Sequence, residues 1–157
     1  ERRIHYFMKG IQGKIPPFVC KNPGLDSGYM IAHVTSTSLA SENKTLSHPA
    51  SVDSLPTSGG QEDLVSMAPW AGLKLIQIQK NVNRILAIEL IVAGAANYLI
   101  SSNLKSGDGT SKVLETLNKY CSFSKGDRSL TSEIESMYDI LRLGHLYRDI
   151  SQHLALE

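Results

Sequence analysis

Ser47-His48-Pro49-Ala50-Ser51-Val52-Asp53-Ser54-Leu55-Pro56-Thr57-Ser58-Gly59-Gly60, running on into Gln61-Glu62-Asp63-Leu64-Val65-Ser66-Met67, is where the chain changes character. Prolines fix φ and lack a donor, glycines open positive φ, and hydroxyls compete for backbone groups, so the first part is a loop. A connection this long without regular structure is uncommon in a small chain and tends to carry function. Beyond it, apolar residues recur at helical spacing, and loop 47–60 is expected to lead into a helix over about 62–100. Glu62 and Asp63 would then stand in the first helical turn, where unpaired N–H groups and the macrodipole favour ionised carboxylates. On pattern alone they read equally as helix-start acids and as functional acids.

Downstream, Leu64, Ala68, Ala71, Leu75, Ile78, Val82 and Ile85 trace one helical face, with Lys74, Gln77, Asn81 and Arg84 opposite. Pro69 should bend or offset the helix start. From Ile85 to Ile100 the pattern is apolar nearly all round, Glu89 and Asn97 excepted, and is expected to be buried on every side. That needs more protein than this chain supplies, and oligomer or partner contacts are the natural source. A membrane span is disfavoured, because the run is shorter than about 20 residues and carries a central carboxylate.

Upstream, Ile4, Phe7 and Met8 fit the tail of a helix, and Gly10, Gly13, Pro16 and Pro17 punctuate a loop. Asn22-Pro23-Gly24 is a turn, after which Asp26 or Ser27 could cap a helix from about Gly28 to Leu46, despite the hydroxyls at 35–38. After the turn Gly107-Asp108-Gly109, Thr110 to Tyr120 reads as a helix. Ser132 with Glu135 makes a capping-box pattern opening one last helix, whose stripe runs through Ile134, Met137, Tyr138, Leu141, Leu146, Ile150 and Leu154. The fold expected is all-α, with a helical core over 1–104 and a terminal helical segment over 105–157.

The chain has 157 residues, 41% apolar and 20% charged, with a net charge of +1. That is a globular composition with no field strong enough to argue for nucleic acid or an anionic membrane. Cys20 and Cys121 lie far apart with no Cys-x-x-Cys spacing, which suggests reduced thiols and a cytoplasmic location. Five histidines without metal-ligand spacing argue against zinc. The opening Glu1-Arg2-Arg3 has no initiator Met and no apolar block behind it, so a fragment, a processed product or half of a split enzyme is expected.

Residues 51–58 together with Gln61-Glu62-Asp63 and Val65-Ser66-Met67 resemble a C-terminal signature of the histidine ammonia-lyase family. Gly24-Leu25-Asp26-Ser27-Gly28-Tyr29-Met30 is similar to that family's Gly-Leu-Asn-Ser-Gly-Phe-Met segment, and Ser41-Glu42-Asn43-Lys44 and His48-Pro49-Ala50 also match. The likeness covers roughly residues 1–100 and weakens beyond. It implies the long-helix bundle of ammonia-lyases and fumarases, L-histidine as substrate, urocanate as product, and a homotetramer whose sites are built from several subunits.

In the resembled family the acid matching Glu62 faces the substrate and helps with proton transfer; relatives acting on phenylalanine or tyrosine carry Gln there. Gln61 and Ser58 are candidates for the layer behind it, with loop packing as the plainer role. Leu64 departs from the family, which has His at that place, and this keeps open a tyrosine or phenylalanine lyase or aminomutase. The family's electrophile is a methylidene-imidazolone group made from an Ala-Ser-Gly tripeptide, absent here: Ala40-Ser41 continues with Glu42 and Ala50-Ser51 with Val52. The resemblance therefore implies that the group, the catalytic tyrosines and the carboxylate-binding arginine lie on an N-terminal portion or subunit, and that this chain alone is inactive. A non-catalytic helical oligomerisation module is the reading from a different class.

Overall fold

Pro69 decides where the longest helix begins. The structure, a computed structural model, describes residues 1–100 and 105–154. In it α3 spans Ala68–Leu99, with Met67 at the cap and Pro69 at the second position. There a proline's missing N–H costs nothing, whereas a helix from 62 would put Pro69 in the interior, without its i→i−4 bond and with its ring against the preceding turn. The expected start at about 62 is corrected accordingly: Glu62 and Asp63 lie ahead of the helix, and the dipole argument does not reach them.

Before α3 come α1, Arg2–Met8, and α2, Met30–Leu46. The hydroxyls that weaken α2 on propensity bond back to the preceding turn. Thr35 Oγ1 donates to the Ile31 carbonyl at 2.9 Å, and Ser36 Oγ and Thr37 Oγ1 to that of His33 at 2.8 and 3.0 Å. Neither Asp26 nor Ser27 caps α2. Asp127, a hundred residues on in sequence, accepts the backbone N–H groups of Ser27 and Gly28 at 2.7 and 2.8 Å. Those bonds hold its carboxyl below the usual carboxylate range.

Helix α3 meets α2 with its polar side. Asn81 is 1% exposed; its Nδ2 donates to Glu42 Oε2 at 2.9 Å and Asn43 Oδ1 at 3.0 Å, and its Oδ1 accepts from Gln77 Nε2 at 3.1 Å. The apolar stripe read from the sequence points the other way: Leu64, Leu75 and Val82 are exposed, as are Ala68 and Ala71. Farther along, Ala87, Ile88, Ile91, Val92, Ala95 and Ala96 are buried, but Leu86 and Tyr98 remain exposed, so burial on every side is not reached within this chain. Small residues there allow close packing. A β-carbon at Gly94 would stand 2.7 Å from Phe123 Cζ. By length and composition α3 could cross a membrane, yet the buried Asn81 and the Arg3–Glu89 ion pair at 2.6 Å would be costly in lipid.

Helices α4, Asp108–Tyr120, α5, Thr131–Arg142, and α6, His145–His153, follow. The single last helix expected is two, because Gly144 turns left-handed at φ 68 between them. The capping box does not form: α5 starts at Thr131, so Ser132 is already inside it, and Glu135 instead takes Arg84 of α3 in two bonds of 2.8 and 3.0 Å. Among the described residues there is no β-strand, only isolated bridges. Ile4, Met8 and Tyr29 share one hydrophobic cluster with Ile88, Ile91, Leu117, Met137 and Tyr138, which joins the two expected regions. Their expected boundary borders residues 101–104, outside the described residues.

Cys121 lies in this core, and burial pushes its thiol up to about 12 from 9.0. Because the folded value is the higher one, the stability it contributes is complete below pH 9 and lost as pH rises toward 12. Urea midpoints measured from pH 8 to 11 should therefore fall with pH, and fall less steeply in Cys121→Ala. Asn81→Ala should cost about 2 kcal/mol, since it opens a cavity and strips buried partners. Thermal unfolding should show a midpoint lower by roughly 4–8 °C; an unchanged midpoint would show that the network adds nothing.

Candidate active site

The connection between α2 and α3 is a loop with two limbs. Short 3₁₀ turns mark it at Ala50–Val52 and Ser58–Gly60. At its tip Ser58, Gly59 and Gly60 all take positive φ, 55°, 66° and 89°, which two glycines make inexpensive and which strains only Ser58. This reversal lets Thr57 and Glu62 face each other: Thr57 N–H donates to the Glu62 carbonyl at 3.0 Å and Glu62 N–H to the Thr57 carbonyl at 3.3 Å. Nearer the base, the Ser54 hydroxyl accepts the Val65 N–H at 2.9 Å. Lys74 of α3 donates its ammonium to the His48 carbonyl at the loop's beginning.

Glu62 therefore has both backbone polar groups engaged and its side chain exposed. Gln61 and Ser58, the other expected site residues, share that exposed tip with Glu62, as does Asp63; their nearness in sequence alone puts them on one loop. The backbone anchors Thr57, Ser54 and Lys74 were not legible as site residues. Ser54 is a hydroxyl of the kind that bonds nearby backbone. Under the limbs lies an open recess of about 600 Å³, lined by Pro49, Ala50, Ser54, Leu64, Val65 and Met67 among others. Exposed Val52, Leu55, Leu64 and Trp70 surround the loop with uncovered apolar surface.

A second recess, about 280 Å³, lies between the segment around Cys20, the start of α2 and the 123–130 connection. Two of its charged side chains, Asp127 and Arg128, are engaged within the chain. Arg128 meets Glu133 through Nε and Nη2 at 2.8 Å each, which raises the guanidinium's pKa, and burial pushes the Tyr29 phenol up while Arg128 draws it back in part. This is the chemistry of a latch between α2 and α5, and Tyr29 stands in the core. Among the described residues no three His, Cys, Asp or Glu gather to hold a metal. Nor do residues present fit a methylidene-imidazolone: Ala40-Ser41-Glu42 is helical backbone within α2, Ala50-Ser51-Val52 is a 3₁₀ turn, and neither is Ala-Ser-Gly.

Residues 1–119 match the family model described as aromatic amino acid lyase. Histidine ammonia-lyase of Yersinia enterocolitica is 40% identical over 154 residues, which is 98% of this chain and 30% of that protein. The crystal structure of histidine ammonia-lyase from Trypanosoma cruzi superposes with a TM-score of 0.88 at 37% identity, over 97% of this chain and 30% of that one. Tyrosine aminomutase from Streptomyces globisporus gives 0.89 at 28% identity, over 97% and 29%. The chain thus spans about 30% of the length of the curated relatives it matches. With a helical architecture, a matching family model over three-quarters of its length and relatives of this likeness, the chain belongs to the aromatic amino acid lyase family.

Proposed function

We propose that this chain is the C-terminal part of a histidine-type ammonia-lyase, which eliminates ammonia from L-histidine to give urocanate, and that Glu62 is its contribution to the reaction centre. The observation that carries the reading is the presentation of Glu62. A loop with almost no packing of its own holds the backbone of this residue at both polar groups and leaves only the carboxylate free. Elimination breaks the bond from carbon to the amino nitrogen and removes a proton from the neighbouring carbon. A carboxylate near the amino group can exchange a proton with it or bind the imidazole of the substrate.

The electrophile belongs to other polypeptide, because the tripeptide that makes it is missing here, and no step through it is assigned to these residues. An N-terminal portion or subunit of the lyase is the partner, within a homo-oligomer that is a tetramer in the family. The outward apolar stripe of α3 supports this, as a surface costly to leave in water. Two free, buried cysteines suit a reducing, cytoplasmic setting. Leu64 favours a second reading, a lyase or aminomutase acting on tyrosine or phenylalanine.

In the assembled protein, Glu62→Gln should lower the rate of urocanate absorbance growth from L-histidine by about a hundredfold or more. Near-full turnover would remove the acid from the mechanism. Turnover of tyrosine in preference to histidine would establish the second reading, and no turnover of either in the assembled wild type would leave a helical oligomerisation module.

A further inference from the structure

We propose that Ser54 is a positioning residue: its hydroxyl closes the neck of the loop that carries Glu62 and so sets where that carboxylate stands. The inference rests on Glu62 as the acid of the reaction centre, and it begins from how little else holds the loop. Across residues 51–64 every side chain except that of Ser54 is exposed. Apolar burial, which fixes most backbone in a folded chain, is missing here, and the loop's shape is left to its hydrogen bonds.

Those bonds form two rungs. The inner one is the reciprocal backbone pair of Thr57 and Glu62. Taken alone it closes the tip but leaves the tip free to pivot on Leu55, Pro56, Asp63 and Leu64, all exposed. The outer rung is the 2.9 Å bond from the Val65 N–H to Ser54 Oγ, three residues away on each limb. Two rungs at different heights fix an orientation as well as a separation. Val65 is half-buried and has no carbonyl opposite it, so without the hydroxyl its N–H would lose its acceptor. Lys74 completes the fixture by holding the first limb at His48 to α3.

Ser54→Ala removes the acceptor while touching no core residue, and Ser54→Thr keeps it. Amide exchange of the chain should show the Val65 N–H exchanging about tenfold faster in Ser54→Ala, with α3 unchanged and with Ser54→Thr near the wild type. In the assembled protein, the same Ala variant should lose between tenfold and a hundredfold in kcat with KM little altered, because a displaced acid binds substrate nearly as well but transfers protons poorly, and Thr should restore it. Unchanged exchange at Val65, or unchanged kcat in Ser54→Ala beside an impaired Glu62→Gln, would overturn the positioning role while leaving Glu62 in place. Full turnover in Glu62→Gln would instead overturn the acid itself, and with it any positioning of it.

Discussion

A carboxamide with nowhere else to go organises this chain. Asn81 is sealed between α2 and α3, and a buried amide without partners is expensive, so Glu42, Asn43 and Gln77 must meet it whenever the two helices touch. That requirement fixes the rotation of α3 about its axis. With Asn81 inward, Lys74 and Arg84 also face the chain, and each finds an acceptor, His48 on the loop and Glu135 on α5. The apolar stripe on the other side is forced outward along the first half of the helix.

This inversion separates two kinds of surface on one element. The second half of α3 is an ordinary core helix, packed by Ile88, Ile91 and Val92 against α1, α4 and α5. The first half is polar within and apolar without, the reverse of what a lone soluble helix presents. The loop of residues 47–67 lies at that same end, with Val52, Leu55 and Leu64 exposed and its acid at the tip. Both features are what the proposed cover by further protein would require at this end. The relatives, more than three times as long as this chain, are consistent with it.

The other end is closed by local polar chemistry. Asp127 supplies acceptors to the backbone entering α2, and Arg128 and Glu133 pair beside Tyr29, so the connection before α5 is bound to the helix it covers. The contrast between a latched end and an open one gives the chain its polarity, with the proposed chemistry on the open side.

By itself the sequence determined the all-helical class, a helix ending at Leu46, a long helix running to about Leu99 whose start it placed too early, the turn residues, and the segment with Glu62 as the candidate acid. Periodicity, prolines and glycines act over a few residues, and so are readable without knowing what packs where. Pro69 was visible too, and a proline tolerated only in the first turn is what sets the helix start past Glu62. What the tertiary structure alone decided is which side of α3 faces inward, that Glu135 answers Arg84 instead of capping its own helix, and that Asp127 serves the start of α2. Each depends on a partner between 38 and 100 residues away. An amphipathic pattern names two faces but cannot say which is inside when the missing cover belongs to another stretch of protein, because burial is a property of the assembly and not of the helix.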